Sequence, residues 1–360
     1  MTLSDCSRLG EGYFCTPSLG EHVVSNVIEP WKHLPKYRLR NYIRHFLKMY
    51  CRVCPPSYYE SALVPVIVVT FNQMIERLNK EWEAMKSREH IRTAIDDIEI
   101  VTEEDAVNND EVIESQLVHL LTKNFIETLN SMCTMCRPSL REPYVEKKDE
   151  SQAKLESADY VLQELPTFLL QHTETCKIVL LLPFIALRWP DVSSFTKAIR
   201  LCVPFIRQLI RNPPREVAMV PEMFEQIFTL ALQGLQLMGH HVEIQSNLIR
   251  NIVIIYDLLR PLFPSLKNIM LQVPNIDTIS LNKYDVTLMS NEELSEKEKK
   301  KIFKALLSGL IGKEVGKMFQ YDIRILNLPS LPVVKREKSM NILATENNIG
   351  LTKLFEPEST

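Results

Sequence analysis

Between about residues 155 and 310 the apolar side chains recur at helical spacing, and the pattern breaks almost only at prolines and short polar turns. Proline lacks an N–H and crowds the turn before it, so each one ends or bends a helix. The periodicity predicts helices at roughly 155–171, 174–188, 191–211, 219–238, 241–262 and 265–273. A loop through Pro274 and a last helix from Ser295 follow. Helices of this length can bury their apolar stripes by pairing antiparallel across short turns, as in HEAT-type repeats of about 40–47 residues. No clean internal sequence repeat accompanies the regular helix lengths. Nine glycines in 360 residues are too few for a doubly wound sheet with phosphate loops, and 45% hydrophobic residues suffice for a large core or an array of small ones. The fold class expected is all-α; a HEAT-repeat-like solenoid of antiparallel helix pairs and a generic helical bundle both fit this pattern.

Upstream, helices are expected over Glu21–Leu34 and Lys36–Arg52, split near Pro35, and over Ser57–Arg88, bent at Pro65. The segments are helical repeats over 1–95, an acidic loop over 96–110, a helix over 111–136 and a polar linker over 137–155. HEAT-like repeats over 156–318 and an extended C-terminal tail over 319–360 complete the chain. The acidic loop has too few apolar residues to fold alone. The N-terminus has no charged-then-apolar leader, and the apolar run Ile178–Leu187 is broken by Pro183 and far too short to span a bilayer. Eight cysteines without a leader read as reduced thiols, so a soluble intracellular chain without membrane insertion is expected.

Few residues carry chemistry. The pairs Cys51/Cys54 and Cys133/Cys136 stand about 80 residues apart, well outside the usual zinc-ribbon spacing. Each pair ends a helix, where thiols pack as small hydrophobes. His240-His241 reads as a surface turn without a partner motif. Gly309, Gly312 and Gly316 follow a helix rather than a strand and lack the G-K-[ST] ending of a phosphate loop. They are expected to serve helix packing or termination. No catalytic set is visible, and no cofactor is expected.

Three rows of cations remain. Lys36, Arg40, Arg44 and Lys48 recur at four-residue steps. Lys197, Arg200, Arg207 and Arg211 share one sector of their helix. Lys297, Lys300, Lys301 and Lys304 lie opposite the apolar face made by Ile302, Phe303, Leu306, Leu307 and Leu310. A single such row is ordinarily a solvated surface. Three rows on separate pairs can line one face when the pairs stack. Such a face suits A-form RNA, which proteins hold by phosphates and 2′-hydroxyls. Aromatic residues among the rows are sparse, Tyr37 and Tyr42 being nearest, so duplex is preferred to single strand.

The C-terminal region joins four features in order: the lysine-rich helix capped by Ser295 and Glu298, the run Gly309, Gly312, Lys313, Gly316, the segment Asn327-Leu328-Pro329-Ser330-Leu331, and a terminal Gly350, Leu351, Phe355, Glu356, Pro357. That order resembles the C-terminal portion of a nuclear export receptor of the karyopherin-β (importin-β) family. A looser likeness runs upstream through Cys54-Pro55-Pro56, the tryptophan at Trp82 and the acidic insertion. The resemblance implies the HEAT-repeat-like solenoid rather than a generic helical bundle, and no active site in this chain. It implies carriage of hairpin RNA such as microRNA precursors, dependence on Ran-GTP bound mainly outside this chain, contact with nucleoporins, and shuttling between nucleus and cytoplasm. Members of that family are several times longer. A helical scaffold that binds only proteins, and a metal-dependent enzyme built on the cysteine pairs, stand as the other readings.

Overall fold

In the computed structural model, residues 10–96, 109–134, 162–214, 220–290 and 294–311 are described, with Cys6. The acidic loop falls almost wholly outside the described residues. The polar linker, Cys136, Gly312, Gly316 and the whole C-terminal tail also lie outside them.

Among the described residues all regular elements are helices. They are α1 (Glu11–Phe14), α2 (Leu19–Val23), α3 (Lys36–Tyr42), α4 (Lys48–Val53), α5 (Val64–Asp96), α6 (Asn109–Thr134) and α7 (Glu164–Gln171). After these come α8 (Thr173–Ala186), α9 (Val192–Arg211), α10 (Pro221–Met238), α11 (Val242–Leu259), α12 (Leu266–Met270), α13 (Thr278–Met289) and α14 (Glu296–Leu306).

These helices stack in two layers. One layer runs α2, α5, α8, α10, α12, each touching the next. The other runs from α3 and α4 through α6, α9 and α11 to α14, again neighbour to neighbour. Pairs α5–α6, α8–α9 and α10–α11 join the layers. This is the arrangement of an all-α helical-repeat solenoid, in which each pair buries its stripe against the pairs beside it. The shared core holds the fully buried rings of Phe71, Phe125, Phe184, Phe195, Phe205, Phe224, Phe228 and Phe303. Phe71 meets Phe125 edge-on at 5.3 Å, and Phe224 stacks on Phe263 at 4.3 Å.

Polar groups fix the register between pairs. Trp189 donates from Nε1 to Asn79 Oδ1 at 2.9 Å, tying α8 to α5. Trp82 donates to the Thr122 hydroxyl at 3.1 Å, tying α5 to α6. Arg77 reaches from α5 to the carbonyls of Trp31 and Leu34, closing the turn before α3. Two glycines allow backbones to touch. A Cβ at Gly20 would lie 2.5 Å from the Ser61 carbonyl oxygen, and one at Gly309 would lie 2.0 Å from that of Pro274. Close packing therefore accounts for Gly309.

The expected helices from 174 to 262 are found within a few residues. Glu164–Gln171 and Thr173–Ala186 meet at His172, where the chain turns by 112°. Ser295 and Glu298 form the full capping box at the start of α14. Two differences arise. Val24–Ile28, Ile43–Leu47 and Tyr59–Leu63 are π-helical turns. The third runs directly into α5, so Pro65, which has no N–H to donate, lies inside a helix continuous from Pro56. The loop expected through Pro274 contains α13, capped by Asp277, whose carboxylate accepts from Ile279 and Ser280.

Among the described residues only the stretch Pro56–Arg88 is long and apolar enough to cross a bilayer. Its Val66, Ile67, Phe71, Met74 and Leu78 are buried among the neighbouring helices, as in the core helix of a folded repeat.

Candidate nucleic-acid interface

All three basic rows lie on the same layer. Lys36, Arg40, Arg44 and Lys48 run along α3, the π turn and α4. Lys197, Arg200, Arg207 and Arg211 belong to α9, and Lys297, Lys300, Lys301 and Lys304 to α14. Helix α6 separates the first row from the second, and α11 separates the second from the third. The layer thus alternates strongly basic helices with mixed ones.

Neighbouring carboxylates engage some of these cations. Lys36 contacts Glu114 of α6 and pairs with Glu81 of α5 at 3.2 Å. Lys197 pairs with Glu127 of α6 at 3.5 Å. On α14, Lys300 turns toward α11 and donates to the Ser246 hydroxyl at 2.6 Å, so it leaves the outer ridge expected for it. The adjacent Lys299 pairs with Asp257 at 2.7 Å. Lys297, Lys301 and Lys304 are exposed, as are Arg44 and Arg211. Arg40 and Lys48 are half-buried.

Two of the predicted arginines meet in one cleft. Helices α9 and α11 border an open groove of about 320 Å³, lined by Arg200, Arg207 and Arg250, with Glu243 the carboxylate among its lining residues. Its apolar walls include Ile199, Val203, Ile244 and Ile254. Pro204 lies in the same wall and cannot bond the Arg200 carbonyl one turn back. In that turn the Ile199 carbonyl accepts from Asn251 Nδ2 of α11 at 2.5 Å, which holds the two helices at the groove. The other flank of α9 is set by His119 of α6, whose Nδ1 lies 3.0 Å from Asp191 Oδ1. Asp191 also accepts from the Ser194 backbone at 2.8 Å and caps α9. Burial pushes the Asp191 carboxyl up, but bonds from His119 and Ser194 outweigh it and hold its pKa below the usual value. With residues 119 and 127 facing 191 and 197, 251 facing 199, and the first residues of α9 and α11, Val192 and Val242, both lining the groove, helices α6, α9 and α11 run in one direction.

Sequence spacing missed Arg250, because it is the single cation on the groove stripe of α11, among Glu243, Asn247 and Asn251. The polar stripe itself was visible at helical spacing. The cysteines behave as expected of small hydrophobes. Cys51, Cys54 and Cys133 are buried, and burial pushes the Cys51 and Cys133 thiols up. His240 and His241 occupy the turn expected between α10 and α11, but are less exposed than a surface turn. Both are half-buried with rings 4.3 Å apart, and burial together with the His241 charge depresses His240 to about 4.

Stacked helix pairs in two layers, with cations gathered on one of them, define a helical-repeat protein with an arginine-lined groove. The chain belongs to the exportin-5 family, whose profile it matches over residues 2–320. It is 28% identical to human exportin-5 over 359 residues, covering 96% of this chain and 29% of that protein. It is 28% identical to mouse exportin-5 over 358 residues, with the same coverage. An uncharacterized protein of Schizosaccharomyces pombe is 25% identical over 113 residues, 31% of this chain and 9% of that one. The chain therefore spans 29% of the length of the human and mouse relatives.

Proposed function

We propose that this chain is the RNA-facing part of a karyopherin-type nuclear export receptor. It holds structured double-stranded RNA, such as microRNA-precursor hairpins, through contacts to the phosphate backbone. The observation that carries the reading is the placing of Lys36–Lys48, Lys197–Arg211 and Lys297–Lys304 on one layer of stacked helices. Arg250 joins Arg200 and Arg207 in the groove of that layer. Guanidinium groups suit phosphate, since their planar donors grip two oxygens at once. Contacts of this kind carry no sequence code and suit a carrier of many hairpins. Membership of the exportin-5 family supports transport rather than catalysis as the role. Ran-GTP is bound elsewhere on the receptor, its hydrolysis belongs to Ran, and nucleoporins are met during passage between nucleus and cytoplasm. Cargo and Ran-GTP binding are reciprocally coupled on this reading.

Binding of a labelled hairpin RNA at rising salt tests the proposal. Phosphate contacts predict a steep linear fall of log affinity with log salt. Arg200→Glu/Arg207→Glu/Arg250→Glu is expected to lower affinity at least tenfold and flatten that fall, with circular dichroism unchanged. No binding by the unaltered chain at low salt would instead favour a protein-binding scaffold. For that reading speak the exposed apolar residues Ile279, Val286 and Met289 of α13. A pull-down with GTP-locked Ran, with and without the hairpin, tests the coupling.

A further inference from the structure

The groove between α9 and α11 holds more than cations. Its other polar residues are Thr196, His241, Asn247 and Asn251. Thr196 donates its hydroxyl proton to the Val192 carbonyl at 2.8 Å. Asn251 is fixed differently. Only the amide nitrogen of a carboxamide can bond a carbonyl oxygen, so the contact with Ile199 fixes which end of the side chain faces α9. Its Oδ1 is the acceptor that remains on this groove-lining side chain. Asn247, one turn earlier on the same stripe, is exposed and carries a second carboxamide. The pairing of Asn251 with Ile199 sets that carboxamide beside Arg200, the next residue of α9, with Asn247 one turn nearer the start of α11.

We infer that Asn251 and Asn247 accept hydrogen bonds from ribose 2′-hydroxyls, making this groove the place where the chain distinguishes RNA from DNA. The inference rests on the RNA reading above and names residues that determine its specificity. A ribose hydroxyl neighbours the backbone phosphates, so a guanidinium that seats a phosphate brings a hydroxyl near acceptors in the same groove. Arginine alone cannot make the distinction, because phosphate is common to both nucleic acids. The 2′-hydroxyl is the group that separates them, and it donates well to a carboxamide oxygen. Ile199, Val203 and Ile254 line the same groove beside these polar groups.

The test uses the full chain and two hairpins of one sequence, one of RNA and one with 2′-fluoro in place of 2′-hydroxyl in its stem. The fluoro form keeps the A-form shape but cannot donate. The unaltered chain is expected to bind the hydroxyl hairpin several-fold tighter. Asn247→Ala/Asn251→Ala is expected to close that gap, with the hydroxyl hairpin bound no tighter than the fluoro hairpin. Arg200→Glu/Arg207→Glu/Arg250→Glu is expected to weaken both hairpins alike. A gap that persists in the asparagine variant overturns the inference, as does an unaltered chain that binds both hairpins equally. In either case salt-dependent binding leaves the phosphate reading standing. Failure of the unaltered chain to bind either hairpin at low salt overturns both. Should loss of the Ile199 contact unfold the double variant, the exposed Asn247→Ala alone must still narrow the gap, and no narrowing counts against the inference.

Discussion

At the scale of single residues, burial sets how this chain responds to acid. His240 is held near 4 by burial and by His241, against an ordinary value of 6.5. Between those values the unfolded chain takes up more protons than the folded one, so stability falls as pH drops from about 6.5 to 4. Asp191 adds a second, lower step. Its folded pKa is depressed, so its contribution is present above the ordinary carboxyl value of 3.8 and is lost as pH falls through the folded one. Urea midpoints measured from pH 7 to 4 are expected to decline for the unaltered chain and to decline less for His240→Gln. Equal slopes in the two proteins would show that His240 plays no part. His240-His241 was visible as a turn in the sequence, but its burial was not, since that depends on how α10 and α11 meet.

At the scale of helices, α6 stands between two basic neighbours and offers a carboxylate to each. Glu114 meets Lys36, and Glu127 meets Lys197. Exposed ion pairs of this kind contribute little stability, about 0–1 kcal/mol. On the RNA reading they compete with phosphate for the same ammonium groups. Glu127→Gln, and separately Glu81→Gln/Glu114→Gln, are expected to raise hairpin affinity two- to five-fold. Each is also expected to steepen the log–log salt dependence by about one phosphate contact. Glu174→Gln, an exposed change of equal charge on α8 in the other layer, controls for net charge and is expected to have no comparable effect.

Helices such as α9, α10, α11 and α14 were legible because one side is apolar and the other charged. Helix α13 was not, because its apolar residues point both ways. Leu281 and Tyr284 are buried beside the carboxylate of Asp285, while Ile279, Val286 and Met289 face out. Its cap at Asp277 was the signal available. The basic rows could be read within each helix. The partners of Lys36 and Lys197, and the entry of Arg250, belong to contacts between helices that no spacing along one helix reports.

At the scale of the whole molecule, stability should be divisible along the stack, since each pair touches only its neighbours. Phe303 is fully buried between Tyr256 at 5.6 Å and Tyr284 at 5.0 Å. Phe303→Ala is expected to cost about 3–5 kcal/mol. Hydrogen exchange is expected to show the loss of protection confined to α11–α14, with α5, α6 and α8 retaining theirs. Uniform loss along the chain would mean that the stack unfolds as one unit.

Beneath α14 lies a set of polar bonds that bear on capture. Asp285 accepts from Tyr256 at 2.7 Å and pairs with Arg260 at 3.1 Å and Lys267 at 3.2 Å. Asp257 accepts from Tyr284 at 2.5 Å and grips Lys299 at 2.7 Å. With Lys299 anchored, α14 cannot roll about its own axis without stranding a carboxylate, so the exposed Lys297, Lys301 and Lys304 keep their spacing in the absence of any ligand. A loose basic tail must give up its freedom at the moment it meets a polyanion; this ridge surrendered that freedom when the protein folded, and its grip is correspondingly less weakened by heat.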